Sequence, residues 1–274
     1  MGLTFNQRVQ QIQSQVNSLL CAGIDPDMER LPAFLPRSAE GVYEFCREII
    51  EHTHPYVCGY KFNSAFFEVL GGEGFRILHT LRQDIPGDSL AIYDVKRGDI
   101  GNTARQYAHA AFTGLEMDAV TVNPYMGEDA VTPFIQDPAR GVFVLCFTSN
   151  PGSRDFQQLV LASGDPVYLR VAEKAVEWNS NENIGLVVGA TKAANLAEIR
   201  TVAPDLPILA PGVGAQGGDL HKVLEAGRSE SGYGLIIPIS RSILYAGSGE
   251  DYAEKAGQKA AEYKQQINEA LTYV

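Results

Sequence analysis

SLAIYDVKRGDIGNT, residues 89–103, opens as an apolar run and ends in a cluster of charge. Strand side chains alternate between faces, so Asp94 and Lys96, two apart, belong on one face at the carboxyl end of that run. Asp99 follows three residues later in the turn, and residues 103–112 then take up helical spacing. An apolar strand buried on both faces, a charged tip and a helix together form the repeating unit of parallel α/β architecture.

The same unit recurs on both sides of this stretch. Apolar runs stand at 18–25 (SLLCAGID), 56–63 (YVCGYKFN), 89–96 (SLAIYDVK), 119–125 (AVTVNPY), 141–149 (GVFVLCFTS), 184–191 (IGLVVGAT), 207–213 (PILAPGV) and 234–240 (GLIIPIS). They predict eight strands. Helical spacing over 40–51, 74–82, 103–112, 165–178, 194–202, 219–226 and 251–271 supplies the intervening helices, with a shorter one over 128–137. Asp165-Pro166 reads as a cap followed by proline at the first helical position. An additional amphipathic N-terminal helix, about 4–19, precedes the first strand. With 274 residues and no Pro/Ser-rich linker, the chain is predicted to be a single α/β domain, 1–274, folded as a (β/α)8 TIM barrel. A doubly wound sheet has the same order of elements, because periodicity does not report closure.

Apolar residues are 45% of the chain and charged residues 20%, enough for an ordered core. The net charge of −11 argues against a nucleic-acid or membrane-surface binder, since phosphate-rich partners would be repelled. An anionic ligand must therefore be held by local positive charge. The chain has no apolar stretch of membrane-spanning length and no secretory start, and the four cysteines (Cys21, Cys46, Cys58, Cys146) form no CxxC. Buried reduced thiols of a cytoplasmic protein are the expectation. The five histidines show no metal-ligand spacing, and no Ser/His/Asp set is apparent in the sequence. The least regular stretch, 149–164, directly follows the fifth run and suits a loop that folds over a ligand.

Charge at one strand end can be a solvated ion pair. Here it repeats: Asp25 ends the first run, Lys61 the second, and Asp94 and Lys96 the third. Three adjacent strands thus deliver acid and base to one rim, where parallel barrels carry their active sites. Gly212-Val213-Gly214-Ala215-Gln216-Gly217 matches GxGxxG. A dinucleotide fold would want an acidic residue at the tip of the next strand, and that strand ends in Ser240-Arg241 instead. In a barrel, the seventh and eighth loops form a phosphate site, which glycine amides, Gln216 and the Arg241 guanidinium suit.

Asp94-x-Lys96-x-x-Asp99-Ile100-x-x-Thr103 resembles the signature of the orotidine 5′-monophosphate decarboxylase family. Lys61 in GYKFNSAFFE, Ser149 in TSNPG, the run PGVGAQGGD (211–219) and Ser240-Arg241-Ser242 are similar to further family motifs, in order along nearly the whole chain. The length resembles the longer bacterial branch of that family. The resemblance implies a cytoplasmic barrel homodimer that converts orotidine 5′-monophosphate to UMP and carbon dioxide, the last step of de novo pyrimidine nucleotide synthesis, without metal or organic cofactor. It implies a catalytic array of Lys61, Asp94, Lys96 and, from the partner subunit, Asp99. Thr103 would cross with Asp99 to the ribose, and Asp25 would hold a ribose hydroxyl. Ser149 would read the pyrimidine edge, while Gln216, Ser240 and Arg241 would bind phosphate. The loop from Asn150 to about Gly164 would be a lid.

Loss of carbon dioxide leaves electron density on ring carbon six, and a nearby ammonium both stabilises it and supplies a proton, which assigns the acid to Lys96. Three other readings remain open at this point. They are a magnesium-dependent sugar-phosphate decarboxylase of the same barrel group, a Schiff-base aldolase using Lys61 or Lys96, and a non-catalytic nucleotide-binding barrel.

Overall fold

The computed structural model describes residues 2–213 and 219–272. Its eight strands are β1 (Leu20–Ile24), β2 (Gly59–Asn63), β3 (Leu90–Arg97), β4 (Ala119–Val122), β5 (Gly141–Phe147), β6 (Ile184–Val188), β7 (Ile208–Leu209) and β8 (Leu235–Ile239). All pair in parallel and in chain order, and β8 returns to β1 with Leu20 opposite Ile237, so the sheet is a closed barrel and not a doubly wound sheet. Each predicted apolar run contains one strand.

The helices are α1 (Phe5–Val16), α2 (Ala39–Thr53), α3 (Ala65–Glu68), α4 (Gly72–Asp84), α5 (Gly101–His109), α6 (Val167–Trp178), α7 (Ala193–Val202), α8 (Leu220–Gly227), α9 (Arg241–Leu244) and α10 (Tyr252–Leu271). Two expectations are corrected. Residues 128–137 hold the 3-10 turns Glu128–Ala130 and Thr132–Phe134 in place of a helix. Pro133, which has no N–H to give, interrupts any longer run of helical bonds. Pro166 is the N-cap of α6, not its first residue, and Asp165 makes no side-chain cap. Its carbonyl is engaged by the amide of Leu161, and Val160 pairs antiparallel with Pro166, so this segment is spent on the preceding loop.

The core has two parts. A large shell lies between the strands and the surrounding helices. A smaller one fills the lower barrel, where Cys21, Ile92, Phe143, Val187, Leu209 and Ile236 meet Phe5, Val9 and Ile12 of α1. α1 is therefore the floor of the barrel. Thr4 opens it with a capping box to Gln7. Gln13, fully buried, donates to the Leu235 carbonyl at 2.8 Å and accepts from the Gly234 amide at 2.8 Å. Arg8 reaches buried Asp118, before β4, at 2.8 Å. The four cysteines are buried free thiols, and burial pushes that of Cys58 up to about 12.

At the same amino-terminal end, His54 lies 3.5 Å from Asp88 and 3.3 Å from the Ser89 hydroxyl, a Ser/His/Asp contact that the linear sequence does not reveal. Ser89 is 1% exposed, so its hydroxyl pins a turn and is closed to any substrate. Among the described residues no helix is long and apolar enough to cross a membrane.

Candidate active site

The carboxyl ends of the strands enclose a cavity of about 320 Å³, within the range of small-molecule sites. Asp25 enters it from just beyond β1, Lys61 and Asn63 from β2, and Asp94 and Lys96 from β3. Ser149 enters after β5, and Ser240 and Arg241 after β8. Two glycines let the walls approach. A Cβ on Gly23 would lie 1.9 Å from the Ser240 hydroxyl, and one on Gly189 would lie 2.8 Å from the Ser149 amide nitrogen.

The charged residues form one chain of contacts. Lys61 Nζ is 2.9 Å from Asp94 Oδ2 and 3.7 Å from Asp25 Oδ1, and Lys96 Nζ is 2.6 Å from Asp94 Oδ1. Burial pushes the Lys61 ammonium down, but Asp94 and Asp25 outweigh it and hold it above the ordinary lysine range. Burial likewise pushes the Asp94 carboxyl up, and the two lysines overcome this and hold it well below the usual carboxylate range. Both members of the pair are thus ionised at neutral pH. The Lys61 side chain is 7% exposed and that of Lys96 43%, so Lys96 is the more open of the two lysines that line the cavity. Asp25 Oδ1 is buried and accepts no hydrogen bond among the described residues, which leaves an acceptor for a hydroxyl.

Asp94 and Lys96 meet, but not by simple alternation along a regular strand. The β3–β4 register shifts between Tyr93 and Arg97, and Lys96 has φ +48°, in the left-handed region that β-strands exclude. The fully buried Thr121 of β4 sits at this bulge. Its hydroxyl accepts from the amides of Val95 at 2.9 Å and Lys96 at 2.8 Å and donates to Asp94 Oδ1 at 3.1 Å.

Other expected residues fall differently. Asp99 and Thr103 do not line the cavity of their own chain. Asp99 accepts from the Ile100 amide at 2.8 Å at the start of α5, on which Thr103 is exposed. Gln216 lies outside the described residues. Ser149, Ser240 and Arg241 line the cavity, Arg241 as the first residue of α9. The 149–164 segment folds over a 3-10 turn (Pro151–Asp155), and Gln157 ties it back to Thr148 with bonds of 2.8 Å from the Thr148 amide and 2.8 Å to its hydroxyl. Two contributors escaped the sequence reading. Asn63 stands two residues beyond Lys61, so strand alternation already put it on the same face. Thr121 was the one polar side chain in AVTV, within an otherwise apolar run.

A closed (β/α)8 barrel with a Lys–Asp–Lys chain of contacts at the carboxyl ends of its strands belongs to the class of barrel enzymes. The model of the orotidine 5′-phosphate decarboxylase / HUMPS family matches residues 18–256. The chain belongs to that family. It is 50% identical over 258 residues to the orotidine 5′-phosphate decarboxylase of Roseiflexus castenholzii, covering 94% of each. It is 48% identical to that of Thermomicrobium roseum over 267 residues, covering 97% of this chain and 95% of the relative. Among solved structures, the OMP decarboxylase of Leishmania donovani superposes with a TM-score of 0.84 at 38% identity, with coverage of 97% and 99%.

Proposed function

We propose that this chain is a carboxy-lyase that converts orotidine 5′-monophosphate to UMP and carbon dioxide, the final step of pyrimidine nucleotide synthesis. The observation that carries the reading is the Lys61–Asp94–Lys96 array at the cavity, in a chain about half identical to relatives bearing that enzyme's name. The bond from ring carbon six to the carboxylate carbon breaks, carbon dioxide leaves, and the electron pair stays on carbon six. The Lys96 ammonium then gives that carbon a proton and is recharged from solvent. Asp94 faces the departing carboxylate, and Lys61 keeps Asp94 ionised and fixed in place. Because these charges are set before substrate arrives, little reorganisation is needed as the carbanion develops.

The remaining contacts are part of the same reading. Asp25, with its open acceptor, takes a ribose hydroxyl. Ser149 reads the pyrimidine edge. Arg241, Ser240 and Gln216 hold the phosphate, whose binding energy orders the site. Residues 1–274 act as one barrel domain in the cytoplasm, without metal or organic cofactor and without nucleic-acid or membrane partners. The active form is a homodimer in which Asp99 and Thr103 complete the partner's site. Their position outside their own cavity supports this, as do exposed Val69, Ile100, Tyr125 and Met126 on the loops after β2, β3 and β4.

The test follows the ultraviolet absorbance of orotidine 5′-monophosphate with purified, chelator-treated protein. Conversion to the UMP spectrum is the expected result. An unchanged spectrum at enzyme concentrations equal to substrate overturns the reading.

A further inference from the structure

We infer that Thr121 is a positioning residue, whose hydroxyl holds the backbone kink that presents Lys96 to the cavity and at the same time fixes Asp94 between the two lysines. The kinetic part of this inference rests on the decarboxylation proposed above. A buried hydroxyl must be satisfied within the protein, and it has one proton and two acceptor sites. Thr121 uses all three, two for the Val95 and Lys96 amides and one for Asp94 Oδ1. A lysine at φ +48° persists only where its surroundings over-determine it. Among the described residues, no side chain other than that of Thr121 bonds either of those two amides.

Without that hydroxyl the amides lose their acceptor and Lys96 is free to return to extended geometry, which swings its side chain away from Asp94. Asp94 Oδ1 then loses its bond from Thr121 and, as Lys96 moves, its partner at 2.6 Å. Among the described residues, Thr121 makes no hydrogen bond to Asp25 after β1 or to Ser240 and Arg241 after β8, the groups that the proposed reading gives to ribose and phosphate in its own chain. The chemical step should therefore suffer while ground-state binding does not.

The experiment compares wild type, Thr121→Val and Thr121→Ser in steady-state decarboxylation and in UMP binding by calorimetry. For Thr121→Val, kcat should fall about 100-fold, the scale of an ångström-sized misplacement, with KM and UMP affinity within about threefold of wild type. Thr121→Ser keeps the hydroxyl and should restore kcat to within about tenfold. The inference is overturned if Thr121→Val turns over like wild type, if serine fails to rescue, or if UMP affinity falls in step with kcat. A wild type that does not decarboxylate sinks the proposed function alone. Thr121 is then judged by lysine side-chain NMR, where the Lys96 signal must move in Thr121→Val and an unmoved signal overturns the role. If the valine variant does not fold, hydrogen exchange in wild type decides: slow exchange of the Val95 and Lys96 amides supports the role, and exchange as fast as in an unstructured peptide overturns it.

Discussion

Lys96 and Lys61 are both within reach of Asp94, yet their surroundings divide the labour. Lys61 is buried between two carboxylates, whereas Lys96 pairs, among the described residues, with Asp94 alone and is far more exposed. Lys96→Ala should lower kcat by about 10²–10⁴-fold, the usual range for a general acid, while circular dichroism stays unchanged because the side chain is 43% exposed. A spared kcat would remove Lys96 from the role of acid.

Asp94→Asn should destabilise the fold by about 3–5 kcal/mol, because it leaves Lys61 charged and buried without its nearest partner. The loss has a defined pH window. The folded Asp94 carboxyl lies below its ordinary value of 3.8, so its contribution is full above that value and fades as pH falls through it. The folded Lys61 lies above 10.5, so its contribution is full below that value and fades as pH rises beyond it. The stability gap between wild type and variant should thus be level from about pH 5 to 9 and narrow at both extremes. Chemical denaturation across that range measures it; a gap that widens in acid would contradict the assignment.

At the level of elements, the eight strands were legible because strands covered on both faces leave apolar runs with little interruption. The kink in β3 was not. Nothing in YDVKRG announces a positive φ, and the bond that holds it comes from Thr121, 25 residues beyond Lys96. The turns at 128–137 were misread because apolar spacing survives where proline has removed the helix.

Arg200 illustrates another feature that only the fold reveals. It donates to the carbonyls of Ala203, Pro204, Leu206 and Gly227, gathering the carboxyl ends of α7 and α8 onto one guanidinium. Burial lowers its pKa to about 10, against an opposing pull from Asp205. Because buried carbonyls left unpaired cost about 1–3 kcal/mol each, Arg200→Met should destabilise by on the order of 3 kcal/mol in urea unfolding without altering KM. No change in the midpoint would mean that water replaces the guanidinium.

For the whole molecule, the proposed sharing of Asp99 and Thr103 across a homodimer makes a sharp prediction. Lys96→Ala and Asp99→Ala homodimers should each be nearly inactive. After mixing and subunit exchange, a mixed dimer contains one site with both residues intact, so activity should recover to about a quarter of wild type. No recovery after proven exchange would place Asp99 in its own chain's chemistry. The resemblance implied that Asp99 serves the partner's site, and the fold puts it outside the cavity of its own chain, which strand alternation alone could not show because it ends where the loop begins.

Among the described residues, the plug that α1 makes closes the lower end of the barrel. On the proposed function, orotidine 5′-monophosphate would enter and UMP would leave at the opposite end, where the cavity lies. Traffic is then strictly one at a time: no new nucleotide can load until the previous one has vacated. UMP should accordingly act as a purely competitive inhibitor, and thickening the medium with sucrose should slow turnover whenever departure, not bond breaking, sets the pace.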